Sequence, residues 1–469
     1  MNLEQKLAQL KKATHKSGGE TELERQLEFL RRVGTKVKNP GTAQQGAPLP
    51  AQRVPEGIEA YVDGRVEQNS RGEFFLARQA LPFGRPYGKL RIGDLSTRDL
   101  QTLNMFLAGA TLPEASRLIF LDTETTGLAG GTGTCAFLIG LGAVDGTQFV
   151  VRQFFLRDYP EEAAMLDALA ETLEPFDGIV TFNGKTFDLP LLETRYALAR
   201  MISPFARLLH LDLLHPARRL WKLRLASCKL GHLESEVLGV HREGDVDGSE
   251  IPGIYFDYLR TGNARGLQPV FYHNALDIIS LAGLTVEMAD VIGAHVPAAQ
   301  ITPRTRSLAM TSSIDLFSLS RIFERSGARD LSLSTCQQAL EAGLPQPIET
   351  QALWQLATQY KRRGEYERAL EIWFEVTQRE GPLALRALQE LAIHYEHRKR
   401  DAETALDYTV RALGRLNSAP VGTLQKQFSH RMKRLRTKVG RGKKTPGNGS
   451  GQKGGTPRNF NPLQQKSFV

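Results

Sequence analysis

The chain has 469 residues, 41% of them hydrophobic, enough for a sizeable buried core and two or three domains. No apolar run approaches a membrane span, Ala136–Val144 included, and the N-terminal MNLEQKLAQLKK lacks the apolar core of a signal peptide. Cys135, Cys228 and Cys336 lie far apart, which argues against a disulfide framework or a zinc site and makes a reducing, cytoplasmic setting the expectation. The net charge of +9 is local: Tyr408–Val469 holds fourteen basic residues and no acid, leaving 46 basic against 51 acidic residues elsewhere. An acid-free basic stretch points to contact with nucleic acid rather than to a basic surface overall.

In chain order, Leu3, Leu7 and Leu10, then Leu23, Leu27 and Leu30, predict helices within residues 2–33, followed by a Gly-, Pro- and Gln-rich linker to Arg53. Residues 54–112 read as a small region of unclear fold, with strand-like pieces at Ala60–Val62 and Gly72–Ala77 and a helix near Thr97–Phe106. Strands are predicted at 117–122, 136–144 and 148–156, the last two joined by Asp145-Gly146, a hairpin signal. A helix at 160–173, a strand at 178–182, a helix at Asp188–Arg200, a strand near Leu208–Leu214 and a long helix at Leu267–Ile292 complete the order. That order implies an α/β fold, a mixed sheet covered by helices, over 113–295. From Ser313 the pattern is all-helical. Leu356, Ala357, Tyr360, Ala369 and Leu370 are echoed by Leu391, Ala392, Tyr395, Ala405 and Leu406, a 35–36-residue period of the tetratricopeptide kind over 313–418. Such repeats offer either a surface for a protein partner or a buttress for the first domain. Residues 437–469 read as a basic disordered tail.

Chemistry concentrates at LIFLDTETTG, residues 118–127. A buried strand ending in Asp122 and Glu124 sets two carboxylates on one face, where they repel unless a cation is shared. A hard divalent ion such as Mg2+ or Mn2+ suits that pair. Asp188, in NGKTFD, opens a helix, and could simply cap it. Asp277, in HNALD, sits in an apolar helix four residues after His273, so both share a face. Four carboxylates and a histidine at one sheet edge are the equipment of two-metal phosphodiester hydrolysis.

DTETTG, NGKTFD and HNALD resemble the three motifs of the DEDD 3′–5′ exonuclease superfamily, which has a ribonuclease H-like fold. HLDLLHPARRLW and SCKLGHLESEVLGV…IPGIYFDYL are further similar to the YprB-like family, some members of which carry tetratricopeptide repeats. The resemblance implies a nuclease trimming single-stranded DNA or RNA with two divalent ions. Asp122, Glu124, Asp188 and Asp277 match the metal ligands. Asn183, Thr125 and Lys185 are the expected substrate contacts. The third motif departs from both standard patterns, because His273 has the spacing of the tyrosine branch and Tyr272 that of the histidine branch. Helical geometry favours His273 as general base over Tyr272, since positions four apart share a face. Two alternatives remain: a catalytically weak scaffold that holds nucleic-acid ends and acts through its repeats, and hydrolysis of small nucleotides.

Four signals carry less. Asn183–Thr186 fails as a P-loop, because Ile179 stands where a glycine is required. The Gly127–Gly133 stretch precedes a strand, not a helix, so it suits close backbone approach to a terminal nucleotide. Asp245 and Asp247 lack the remaining ligands of a calcium loop. Asp212, ending a strand near the site, has an auxiliary or a structural role.

Overall fold

The computed structural model describes residues 57–127, 133–296, 311–416 and 422–442. The expected N-terminal helices and linker, most of the glycine-rich stretch and the tail beyond 442 lie outside those residues.

One sheet organises the first part of the chain. Strands β1 (Gly64–Asn69) and β2 (Gly72–Pro82) form a hairpin, and β3 (Pro86–Tyr87) and β4 (Leu90–Arg91) make a small separate ladder. Strands β5 (Leu118–Thr125), β6 (Ala136–Asp145) and β7 (Gln148–Phe155) follow. Helix α1 (Glu162–Leu173) leads to β8 (Gly178–Thr181), helix α2 (Asp188–Leu198) to β9 (Leu209–Asp212), and α3 (Leu214–Trp221), α4 (Ile251–Thr261) and α5 (Gln268–Gly293) complete the unit. The strand order is β1-β2-β7-β6-β5-β8-β9, with β5, β8 and β9 mutually parallel and the rest antiparallel. This is the mixed α/β sheet the sequence implies, with one difference. Residues 64–82 are not part of a separate region, because β2 pairs with β7 along Phe75–Pro82 and extends the same sheet.

Alternation along β5 divides the core. Leu118 and Phe120 enter one layer with α3 and α5, while Ile119 and Leu121 enter the other with α1, α2 and α4. Asp122 and Glu124 continue the first series. Helix α5 can lie close on the sheet because Gly140 and Gly142 of β6 have no side chains. A Cβ at Gly140 would meet the Asn274 amide oxygen at 2.3 Å, and one at Gly142 would meet Ile278 at 2.3 Å.

Some predicted elements differ locally. Ala60–Val62 is not a strand; Ile58–Ala60 forms a single 3-10 turn. The helix near Thr97–Phe106 is broken, because Arg98 is extended and the Asp99 side chain caps a new 3-10 segment at Leu100–Phe106. The strand near Leu208–Leu214 stops at Asp212, whose carboxylate accepts the Leu214 N–H (3.1 Å) as α3 begins.

The second part is wholly helical: α6 (Ser313–Ser326), α7 (Arg329–Glu341), α8 (Gln346–Arg362), α9 (Tyr366–Thr377), α10 (Pro382–His394), α11 (Ala402–Leu416) and α12 (Thr423–Gly442), each packed on the next. The small residues of the sequence echo, Ala357 and Ala392, Ala369 and Ala405, are fully buried at the helix contacts. Gly364 and, one period on, Arg400 both take positive φ at the turns. Helix α12 runs through residues 437–442, which the composition assigns to the tail. Helix α6 packs on α3, and Arg224 pairs with Asp315 at 2.8 Å across that contact.

Candidate active site

Three elements deliver the four acids to one place. Asp122 and Glu124 come from the end of β5, Asp188 from the first turn of α2, and Asp277 from α5. Asp188 is not a helix cap: Phe187 holds the cap position, and the Asp188 carboxylate accepts the Thr123 hydroxyl at 2.5 Å. Burial raises the pKa of Asp122 well above the usual carboxylate range, and Asp277, Glu124 and Asp188 raise it further. Burial pushes Glu124 up to about 7, with Asp277 and Asp188 adding to it and His273 opposing. Asp188 is raised by burial to about 6, and Asp277 is also raised. The carboxylates are short of positive charge, which is the condition a hard cation relieves.

Asp122 is held by a line of polar groups across the sheet. Its register partner on β6 is Gly140, and the partner of Gly140 on β7 is Gln153. Buried Asn274 lies over Gly140, donates to Asp122 Oδ2 at 3.0 Å, and accepts from Gln153 at 3.0 Å. Gln153 also donates to the Phe271 carbonyl at 2.7 Å, which completes the satisfaction of this buried group.

His273 stands between two carboxylates. Its Nδ1 lies 2.9 Å from both oxygens of Asp245, and its Nε2 lies 3.6 Å from Asp277. Since a carboxylate only accepts, an Nδ1–H would donate to Asp245, and Nε2 is turned toward Asp277. Glu124, His273 and Asp277 each place one ligand atom within 4.8 Å of the others. Tyr272 is 45% exposed on the outer side of the helix.

One guanidinium enters the cluster. Arg242 donates to Glu234 at 2.6 Å, to Asp245 at 2.9 Å and to Asp277. Burial works against its charge, but Glu234 and Asp277 outweigh this and raise its pKa. Buried Glu234 also accepts the Ser280 hydroxyl. Arg242 engages Oδ1 of Asp277, whereas Oδ2 faces His273. The donor set therefore fits a divalent cation: Glu124, His273 and Asp277 converge, and Asp188 lies near enough to Asp122 to raise it.

The other expected residues sit at the margin. The Thr125 hydroxyl donates to the Gly127 carbonyl at 3.0 Å, beside a bulge between Glu124 and Thr125 that shifts the register with β6. Asn183 has φ +67°, and its N–H (2.8 Å) and that of Lys185 (3.1 Å) are accepted by Asp212. Asp212 thus shapes the turn before Asp188. Lys185 lines a cavity of about 300 Å³ with His210, Asp212, His215 and Arg219. Sequence reasoning missed Asn274, Gln153, Arg242 and Glu234, and set Asp245 aside. Asn274 carried a signal, since it is a polar residue three positions before Asp277 in an apolar helix.

Residues 119–289 match the RNase_H superfamily. The chain is 30% identical over 300 residues to the uncharacterized protein YprB of Bacillus subtilis (strain 168), an overlap covering 64% of this chain and 69% of that one. The chain belongs to the YprB family of the ribonuclease H superfamily. The family B DNA polymerase of the hyperthermophilic archaeon Pyrobaculum calidifontis overlaps 50% of this YprB-family chain and 30% of its own, at 16% identity and a TM-score of 0.30. No helix among the described residues is long and apolar enough to cross a membrane.

Proposed function

We propose that this YprB-family chain is a metal-dependent nuclease of DEDD type that shortens single-stranded nucleic acid from its 3′ end. The observation that carries the reading is the cluster of Asp122, Glu124, Asp188 and Asp277, four carboxylates raised by burial and partly by one another, beside one guanidinium. Asp122, Glu124, Asp188 and Asp277 would hold two divalent ions, Mg2+ or Mn2+, which when bound supply charge neutralisation at the phosphate and a more acidic water. His273 would act as the general base toward the attacking water, and Asp245, 2.9 Å from Nδ1, would hold the ring's direction. Asn274 and Gln153 keep Asp122 in place. Asn183 and the Thr125 turn border the site as substrate contacts, and the basic C-terminal stretch adds sequence-independent affinity for phosphates. The helical region, of tetratricopeptide kind in its period, would receive a protein partner.

One observation favours a second reading. Arg242 already pairs with Asp277, so a chain that keeps this pair could hold nucleic-acid ends with little cleavage. The deciding experiment incubates 5′-labelled single-stranded DNA and RNA with Mn2+ or Mg2+ and compares the chain with Asp122→Ala. A ladder shortening from the 3′ end and absent in the variant is expected. Binding without cleavage in every condition would replace the nuclease with the end-holding reading.

A further inference from the structure

The turn that carries Asn183 borders a second cavity, of about 760 Å³, whose walls include Phe182, Arg218, Lys222, Leu225 and Lys229. No carboxylate lines it. Arg218, Lys222 and Lys229 are exposed and form no ion pair among the described residues. This is unusual in a chain whose body carries more acids than bases, and it lies beside the acid cluster rather than on a remote face. Arg218 on α3 and Lys222 at the helix's C-cap stand one turn apart, where like charges repel, so their proximity has a cost that a bound anion would remove.

Helix α3 is a rigid wall. Leu214, Ala217, Leu220 and Trp221 are buried, α6 packs against it, and the Arg224–Asp315 pair fastens the junction. The helical region thereby fixes the cationic residues in place. Phe182, Leu225 and Leu230 add apolar surface to the same walls. Cations together with an aromatic and aliphatic surface are what a single strand requires, for its phosphates and its bases respectively. A rigid duplex keeps its bases stacked internally and cannot use that surface.

We propose that this groove seats the nucleotides upstream of the terminal one. The strand's phosphates pair with Arg218, Lys222 and Lys229, its bases rest on Phe182, Leu225 and Leu230, and its 3′ end passes Asn183 toward Asp188. The proposal rests on reading the acid cluster as the site of phosphodiester cleavage, but its test does not depend on cleavage.

The test uses the full chain carrying Asp122→Ala, without divalent ions, and follows the anisotropy of fluorescein-labelled oligo-dT and oligo-rU of about twelve nucleotides. The same chain with Arg218→Gln, Lys222→Gln and Lys229→Gln should bind at least tenfold more weakly. Its slope of log affinity against log salt should fall by about 2, the loss of three single-strand phosphate contacts. Should the triple variant fail to fold, Lys222→Glu and Lys229→Glu are read singly, each with a weaker affinity expected. Tighter binding of either oligonucleotide names the sugar and supports the groove. Affinity and slope unmoved in a folded variant would overturn it, as would tighter binding of a duplex than of its single strand. An unsubstituted chain that never cleaves, yet loses affinity through these substitutions, refutes the nuclease reading and leaves the groove standing.

Discussion

Glu396, in the helical region, and Asp122, at the end of β5, are both carboxylates taken out of water, and the chain treats them in opposite ways. The Glu396 side chain is fully enclosed, yet Arg434 (2.7 Å) and Lys438 (2.8 Å) donate to it and Arg431 stands 4.0 Å away. Burial alone would raise its pKa; those hydrogen bonds and charges outweigh burial and bring it down to about 2. Its cations come from α12, so the cluster ties the last helix to the turn after α10. Asp122 receives one neutral amide hydrogen bond and has three carboxylates for neighbours. Where a carboxylate serves to join elements, the chain supplies the counter-charge. On the reading proposed above, where it serves a ligand the counter-charge would arrive from outside. Arg242 stands between the two cases, one guanidinium shared among Glu234, Asp245 and Asp277.

Substitutions at the two regions should therefore diverge. Asp188→Asn should lower hydrolysis by about a thousandfold, the scale of several kcal/mol of lost charge stabilisation. The same change should raise the thermal midpoint of the metal-free chain, because it removes a repelling charge. Glu396→Gln should do the reverse, with activity kept and stability lowered by about 1–3 kcal/mol in a denaturant titration. A stabilised Glu396→Gln chain, or a destabilised Asp188→Asn chain, would break the contrast.

Gly140→Val tests the placement of α5. The added side chain meets Asn274, so the helix must shift. A loss of about 1–3 kcal/mol in stability and about a hundredfold in hydrolysis is expected. Smaller again, Asp245→Asn should cost about tenfold to a hundredfold in hydrolysis by loosening the His273 ring, with little change in folding. Steady-state rates with unchanged circular dichroism would separate that from a general disruption.

The pH dependence sharpens the contrast further. Glu124 is raised in the folded chain to about 7, so the folded state holds its proton more tightly than the unfolded one. Its contribution to the metal-free chain is complete below the unfolded value and is lost as pH rises from about 4.5 through 7. Glu396 is depressed to about 2, so its contribution is present above the unfolded value and is lost as pH falls from about 4.5 through 2. Unfolding midpoints against pH, with Glu124→Gln and Glu396→Gln as controls, should show the two limbs disappear separately.

Local pattern made much of this legible. The β5 run, the hairpin at Asp145-Gly146 and the apolar period of α5 each declare their element within a dozen residues, and the three motifs name their acids. What stayed hidden depends on contacts distant in sequence. Gly140 matters because Asn274, 134 positions later, lies on it, and a glycine in a strand does not announce its visitor. Arg242 and Asp245 sit in an irregular loop with no periodicity to place them, yet they reach Asp277 and His273 from 35 and 28 residues away. The β1–β2 hairpin joined the sheet through β7, a pairing with a strand far along the chain that local pattern does not advertise.

Of the four carboxylates only Asp277 meets a guanidinium, and the reading proposed above has divalent cations supply the counter-charge the others lack. Calorimetric titration of Mn2+ into the metal-free chain near pH 7.5, beside Asp122→Ala, tests it most directly. Saturable binding in the unsubstituted chain, accompanied by a rise in thermal midpoint, is expected, with both lost in the variant. No binding heat and no change in midpoint, or the same binding in both proteins, would contradict it.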